Sequence, residues 1–309
     1  MNRRLFIYAV PLVLVWGSMA GSIMIPLQRL PVPLVVFGNL ASGFIFLNLY
    51  FLITGRFRVI ASYSRKLWLR LTIAGFFGTF LYYTAYFLGL KSAGADSAIE
   101  VSMMNYLFPI MAVIFSTLIL REHVTPLGLL SILISFAGAY VILTKGDLFN
   151  FTLHAWQASL LGLTAAVSWG FFTALGRKWT VHPMSDIYIY YLTGVLLSIA
   201  WLALTPQSLV LPTGRELACL AYAGILCNCV GVIVWFKALK VANATLVGNI
   251  AYSAAFLNVL VMHFLVGSPI RIPSLIGLCL IATGVLLASR YATAKNRPPS
   301  ARLSEPDPS

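Results

Sequence analysis

The stretch SAIEVSMMNYLFPIMAVIFSTLIL, from Ser97 to Leu120, decides the fold class. It carries one carboxylate, Glu100, and no Lys, Arg or His. At about 1.5 Å per residue, a helix of this length exceeds the ~30 Å hydrocarbon core of a bilayer. Such a run is typical of a transmembrane helix, because a helix satisfies its own backbone hydrogen bonds within lipid. We therefore predict a membrane span over 97–120.

Nine further apolar runs of similar length lie on both sides of this stretch. They fall near 5–25, 34–54, 71–90, 124–143, 157–176, 184–204, 217–236, 244–266 and 272–289. Across the chain, 60% of residues belong to the AVILMFWYC set and only 9% are charged, whereas soluble domains average about 25% charged residues. A soluble protein of this length could not bury so much apolar surface. The sequence therefore predicts an all-α integral membrane protein with ten transmembrane helices.

The basic residues indicate the orientation of these spans. The net charge of +13 comes from Lys and Arg that lie almost entirely between the apolar runs. With the N-terminus inside, the outer side receives five of the 21 basic residues, namely Arg29, Lys91, Lys145, Arg215 and Arg271, and the inner side receives the rest. Because positive loops stay cytoplasmic, we expect a bacterial inner-membrane protein with both termini in the cytoplasm. Topology accounts for the charge, and we expect no nucleic-acid partner.

An internal repeat divides the chain into two halves. The segment FLGLK at 87–91 recurs as FKALK at 236–240, and WG at 16–17 recurs as WG at 169–170. The copies lie about 150 residues apart. A repeat of five spans inverts its second copy relative to the first. We therefore predict one five-helix repeat over 1–150 and an inverted one over 151–291, followed by a disordered cytoplasmic tail over 292–309.

One segment carries a more specific resemblance. The sequence AIEVSMMNYLFP, at 98–109, resembles the helix-4 signature AIEVxMxNYLWP of YddG-like aromatic amino acid exporters. The whole plan resembles the drug/metabolite transporter superfamily in its ten-helix EamA-type form, and the residues that support this are Trp16, Glu122, Gly128 and Gly138. The resemblance implies export of a small solute by alternating access through a central cavity.

Two positions depart from the pattern of the relatives. Phe108 stands where they have Trp, which keeps an aromatic face. Ala255 stands where the second-half partner of Pro109 is often Pro. Because proline interrupts a helix, we expect the ninth helix to be straighter than the fourth.

Glu100 is the leading candidate among ionisable groups. An ionisable side chain within a membrane span is costly and is usually functional. Its carboxylate could contact a substrate ammonium group or act as a protonatable switch. It could equally form a helix cap or a structural hydrogen bond to a neighbouring helix, and the sequence leaves these alternatives open.

Aromatic and amide side chains form the second candidate set. An indole or phenyl substrate would stack on aromatic walls, and a cation would be held over them. Ordinary packing would use the same residues. Trp16 and Trp169 occupy matching places in the two repeats, so we expect both to line one cavity. The candidate substrate-binding residues are Trp16, Tyr82, Tyr83, Tyr86, Glu100, Asn105, Phe108, Trp169 and Tyr252.

This set favours a secondary transporter that exports aromatic or other neutral amino acids. A multidrug or amphipathic-cation exporter of the same fold is the alternative. An intramembrane enzyme is a remote alternative, because the sequence shows no nucleophile–base pair, metal-ligand cluster or phosphate loop. We therefore expect no enzyme activity, no metal and no cofactor. The expected partners are a small-molecule substrate and membrane lipid, with the chain a monomer or weak dimer.

Overall fold

The computed structural model describes residues 3–148, 156–205, 210–266 and 272–291, and helices account for nearly all of them. Within these ranges, nine helical segments are long and apolar enough to cross a membrane. Ala244–Leu260 is a shorter apolar helix at the ninth predicted span. The prediction of an all-α, multi-pass membrane protein is confirmed. The tail over 292–309 and the predicted boundary at 150–151 lie outside the described residues.

Fifteen α-helices and two π-helical segments build the described part. The first π segment, Phe76–Leu81, joins α5 to α6, and the second, Tyr222–Val230, joins α11 to α12. The α-helices are α1 (Arg3–Gly17), α2 (Ala20–Arg29), α3 (Val32–Thr54), α4 (Phe57–Ala61), α5 (Arg65–Gly75), α6 (Tyr82–Asn105), α7 (Phe108–Leu120), α8 (Pro126–Leu143), α9 (Trp156–Trp179), α10 (Pro183–Leu204), α11 (Gly214–Ala221), α12 (Gly231–Val241), α13 (Ala244–Ala251), α14 (Ser253–Val266) and α15 (Ile272–Tyr291). A kink at Gly94, where the backbone is not helical, divides α6 into the end of the third span and the start of the fourth.

Local sequence sets the start of several helices. Thr213 Oγ1 accepts a hydrogen bond from the Glu216 backbone N–H, and the Glu216 carboxylate accepts one from the Thr213 N–H. This capping box satisfies two backbone donors at the start of α11. Thr125 caps α8 with a single bond, accepted by its Oγ1 from the Gly128 N–H at 3.1 Å, and Pro126 follows it at the first helical position, where its missing N–H is harmless. Both helices therefore begin where a polar threonine precedes an apolar run.

Three spans are interrupted partway along their length. Residues 18–19 separate α1 from α2, residues 106–107 separate α6 from α7, and Tyr252 separates α13 from α14. Pro109 has no N–H to donate to the preceding turn, which explains the second break. We expected a straighter ninth helix because Ala255 replaces proline there. The structure interrupts both helices, and the break in the ninth is the shorter of the two.

The two π segments occupy matching places in the third helix of each repeat. Their starting residues lie about 150 residues apart, the same spacing as the sequence repeat. Each segment also bonds to another span: Thr79 Oγ1 donates to the Tyr190 carbonyl at 2.9 Å, and Asn228 Nδ2 donates to Asn39 Oδ1 at 2.7 Å. π-Helices are rare and often mark functional sites. The sequence offered no signal for them.

Two Arg–Glu pairs join the repeats at opposite ends of the bundle. In the outer pair, Arg29 Nε donates to Glu216 Oε1 at 2.9 Å and Nη2 donates to Oε2 at 2.5 Å. In the inner pair, Arg177 Nη1 donates to Glu122 Oε2 at 3.0 Å and Nη2 donates to Oε1 at 2.5 Å. Each pair connects segments that the positive-inside rule assigns to one side. The two Arg–Glu pairs therefore agree with the predicted order of the spans across the membrane. The cytoplasmic location of the inner pair stays a prediction.

Candidate functional site

A cavity of about 120 Å³ lies between the two repeats. Both repeats contribute to its wall, which includes residues of α1, α6, α7, α8, α9, α13, α14 and the second π segment. The lining residues are Trp16, Met19, Tyr82, Tyr83, Tyr86, Ser102, Asn105, Tyr106, Phe108, Leu143, Trp169, Asn228, Ala251, Ala254 and Asn258.

Most of the candidate residues from the sequence meet at this cavity. Those that line it are Trp16, Tyr82, Tyr83, Tyr86, Asn105, Phe108 and Trp169. The tryptophans from matching places in the two repeats touch each other, with ring centroids 5.7 Å apart in an edge-to-face arrangement. The two repeats therefore meet through their own equivalent residues.

Glu100 and Tyr252, the other two candidates, are not among the lining residues. The Glu100 carboxylate is buried, and its Oε2 accepts a hydrogen bond from Ser159 Oγ of α9 at 3.4 Å. Such a bond between helices corresponds to the structural alternative that the sequence left open. Tyr252 is fully buried, and its ring stacks on Tyr106 with centroids 6.4 Å apart. Because Tyr106 itself lines the cavity, Tyr252 supports the wall from behind.

Several wall residues were missed by sequence reasoning. Ala254 and Asn258 lie four positions apart in α14, which places them on one side of that helix, and Ala251 lies at the end of α13, just before the break at Tyr252. Ser102 lies opposite Tyr86, with their hydroxyl oxygens 3.5 Å apart. The amide of Asn258 within an apolar span was the signal that could have identified it.

An aromatic cluster closes one end of the cavity. We call it the base cluster, and its members are Trp16, Phe108, Trp169 and Trp235. The Trp16 ring centroid lies 5.6 Å from that of Phe108 and 5.3 Å from that of Trp235. Along the chain from α6 into α7, Phe108 of the base cluster comes between Asn105 of the wall and the inner pair. The cavity therefore lies on the side of the outer pair.

The indole N–H groups of the base cluster differ in their partners. Trp16 Nε1 donates to the Cys227 carbonyl of the second π segment at 3.0 Å. A Cβ atom on Gly231 would lie 2.6 Å from that nitrogen, so glycine makes room for the indole. Trp235 Nε1 donates to Thr173 Oγ1 at 3.1 Å. Trp169 Nε1 is buried and has no hydrogen-bond partner.

Asn105 also carries an atom without a partner. Its Nδ2 donates to the Tyr82 hydroxyl at 3.4 Å, whereas its Oδ1 is buried and accepts no hydrogen bond. The Tyr82 ring packs on the Trp169 indole with centroids 4.8 Å apart. Tyr82 therefore contacts both residues of the wall that carry an unpaired atom.

The cavity wall is mainly apolar, with neutral polar groups and no charged side chain. It combines tyrosine, serine and three asparagines with tryptophan and phenylalanine, and the lining residues include no Asp, Glu, Lys, Arg or His. Within the described ranges, no group of three His, Cys, Asp or Glu residues could hold a metal ion. The wall offers rings for stacking together with neutral donors and acceptors.

These features define a class of protein. A chain of apolar helices in two repeats, with a cavity where the repeats meet, is the architecture of a secondary transporter. The chain belongs to the EamA-like transporter family, whose model matches residues 4–144 and 156–290. The two matches confirm the duplication predicted from the sequence.

Similar proteins include both uncharacterized and characterised transporters. The uncharacterized transporter YyaM of Bacillus subtilis is 26% identical over 223 residues, which cover 70% of this chain and 72% of that protein. The aromatic amino acid exporter YddG of Ancylobacter novellus is 26% identical over 192 residues, covering 62% and 65% respectively. A solved crystal structure superposes with a TM-score of 0.77 at 22% identity and covers 94% of this chain and 99% of that one. That similarity supports the fold.

Proposed function

We propose that this protein exports aromatic or other neutral amino acids across the bacterial inner membrane by alternating access. The observation that carries the proposal is the composition of the cavity wall: aromatic rings and amides from both repeats, without a charged side chain. One relative is named an aromatic amino acid exporter, which agrees with this chemistry.

The wall suits an aromatic side chain for energetic reasons. Burying an apolar ring gains about 25 cal/mol per Å² of area removed from water. Edge-to-face or offset contacts with Trp16, Trp169 or Phe108 add roughly 0.5–1.5 kcal/mol each. A fixed charge in the wall would favour ions of one sign, and its absence favours a solute with no net charge.

The arrangement of the two ends supports alternating access. The base cluster and the inner pair close the end of the cavity that we predict to face the cytoplasm. The cavity lies toward the outer pair, at the end that we predict to face the periplasm. Opening the inner end requires the repeats to separate near Glu122 and Arg177. The breaks at residues 18–19 and 106–107 provide places where helices can bend during that movement.

An amphipathic cation is the second candidate cargo. Rings of Trp and Tyr attract cations over their faces, and the same wall would accept a drug of that kind. The two cargoes differ in what they need from the wall, because a cation has no carboxylate to be recognised.

The test is flux through the purified protein in proteoliposomes. We expect saturable transport of radiolabelled phenylalanine, with slower transport of alanine and none through protein-free liposomes. Transport of tetraphenylphosphonium without transport of any amino acid would replace our proposal by the drug-export alternative. Failure of every cargo to move would reject both.

A further inference from the structure

The cavity wall contains two buried polar atoms that lack a partner. Trp169 is 3% exposed and its Nε1 donates to nothing, and Asn105 is 6% exposed and its Oδ1 accepts from nothing. Buried polar groups in folded proteins are nearly always hydrogen-bonded, because leaving one unpaired is unfavourable. An unpaired donor and an unpaired acceptor in one cavity therefore indicate a missing ligand with complementary groups.

The position of these atoms distinguishes them from the other unpaired groups. The remaining buried side-chain atoms without a partner, among the described residues, belong to Asn39, Thr84, Ser185, Tyr191 and Tyr252. None of those residues lines the cavity. Trp169 and Asn105 are thus the two residues with an unpaired buried atom that also line the cavity.

The repeat symmetry strengthens the case for Trp169. Its counterpart Trp16 uses its N–H to bind the Cys227 carbonyl, and the neighbouring Trp235 uses its N–H to bind Thr173. Hydrogen-bond acceptors for an indole N–H are therefore available next to the base cluster. The duplication placed a tryptophan in each repeat, and only the N–H of Trp16 donates a hydrogen bond to another residue of the protein.

We propose that the wall recognises both ends of a zwitterionic amino acid: Trp169 Nε1 donates to its carboxylate, and Asn105 Oδ1 accepts from its ammonium group. This inference rests on the proposed function and specifies the substrate class. An indole nitrogen is a donor only, so it suits an anion, and an amide oxygen is an acceptor only, so it suits a cation. Tyr82, which contacts both residues, holds the two atoms in one wall.

The uncharged wall gives this pair of contacts its selectivity. A ligand with a carboxylate alone or an ammonium alone would satisfy one atom and leave the other buried and unpaired. It would also bring a net charge into a cavity without a compensating one, which is unfavourable. A zwitterion satisfies both atoms and brings no net charge.

Three ligands that share a phenyl ring separate the two contacts. Phenylalanine has both charged groups, 3-phenylpropionate has the carboxylate, and phenethylamine has the ammonium group. We would measure the binding of each to the full-length protein in nanodiscs by titration calorimetry. The unmodified protein should bind phenylalanine about 10- to 100-fold more tightly than either analogue, since hydrogen bonds to charged groups are the stronger ones.

Two substitutions should then give opposite patterns. Trp169→Phe keeps the ring and should weaken the binding of phenylalanine and 3-phenylpropionate by about 10- to 100-fold, with phenethylamine unchanged. Asn105→Leu should weaken phenylalanine and phenethylamine and spare 3-phenylpropionate. Trp201→Phe makes the same chemical change on α10, where Trp201 contacts Phe80 and does not line the cavity, and it should leave the relative affinities for the three ligands unaltered.

Two results of these binding measurements would overturn the inference. Equal binding of the three ligands by the unmodified protein rejects recognition of both ends, and this result needs no variant to fold. Equal losses for all three ligands in either variant show that the residue only shapes the wall. In both cases, transport of phenylalanine in proteoliposomes leaves the proposed function standing, whereas its absence rejects the function itself.

Discussion

Replacing Glu122 by Gln should loosen the closed end of the cavity. Glu122 receives two hydrogen bonds from the Arg177 guanidinium, at 3.0 and 2.5 Å. Arg177 Nη1 also donates to Ser116 Oγ at 3.2 Å, so the arginine holds both the end of α7 and the loop beyond it. With Gln, the charge of Arg177 would lose its counter-ion and one well-placed acceptor.

The burial of the inner pair sets the magnitude. The Arg177 side chain is 12% exposed and that of Glu122 is 25% exposed. Exposed ion pairs contribute about 0–1 kcal/mol, and removing one partner of a buried pair costs about 3–5 kcal/mol. An intermediate pair should therefore lose about 1–3 kcal/mol. Since 1.4 kcal/mol is a factor of about ten, open forms of the inner end should become roughly 5- to 140-fold more populated.

Amide hydrogen exchange measured by mass spectrometry detects this change directly. In Glu122→Gln, exchange should accelerate in the last turns of α7 and α9, where opening frees backbone amides. Arg29→Gln in the outer pair is the matched control. Arg29 is 45% exposed, so water screens its charge and its loss should perturb the fold less than the loss of Glu122, with an effect confined to α2 and α11.

Two results would refute this reasoning. Unchanged exchange in α7 and α9 of Glu122→Gln would mean that the inner pair does not hold the closed end. Failure of the exchanged pair, Glu122→Arg with Arg177→Glu, to restore slow exchange would show that the charges do not act through each other.

Three further predictions address the cavity, the interhelical contacts and the topology. Trp16→Ala or Trp169→Ala should reduce transport of phenylalanine more than that of alanine in proteoliposomes, because each removes part of the aromatic wall; equal losses would mean that the rings only hold helices together. Tyr63→Phe removes a 2.6 Å hydrogen bond to the fully buried Asp186 carboxylate. Burial and that carboxylate raise the pKa of Tyr63, so its hydroxyl stays a hydrogen-bond donor. Loss of the hydroxyl should lower the free energy of unfolding by about 1.5–3 kcal/mol, measured as a lower melting temperature with unchanged transport selectivity. A reporter that is active only in the periplasm, fused after Tyr291, should be silent, and a strong signal would reverse the predicted orientation.

The sequence was sufficient for the membrane class and for the duplication. A bilayer excludes water from about 30 Å of each span, so every span must be a long apolar helix that can be recognised locally. The repeat placed Trp16 and Trp169 at equivalent positions, and the structure brings their rings into contact. The spans and the repeat depend only on the composition and the order of residues along the chain, and both can be read from a single sequence.

Which side of each helix lines the cavity was harder to predict from the sequence. In a soluble helix, one apolar side indicates the core. In lipid, both the outside and the packed interior of the bundle are apolar, so Glu100 and Asn105 looked equally suited to a cavity. The structure places Asn105 in the wall and turns Glu100 toward Ser159 of α9.

Local sequence determined the apolar helical spans, their order and their duplication, because a helix in a bilayer must satisfy its own backbone and match the membrane thickness. Tertiary structure alone decided the π segments, the engagement of the Trp16 N–H by Cys227 and the free N–H of Trp169. Each of these depends on how far a helix is rotated and shifted against its neighbours. That rotation is set by close packing between helices from distant parts of the chain, where no local pattern of apolar residues distinguishes one face from another.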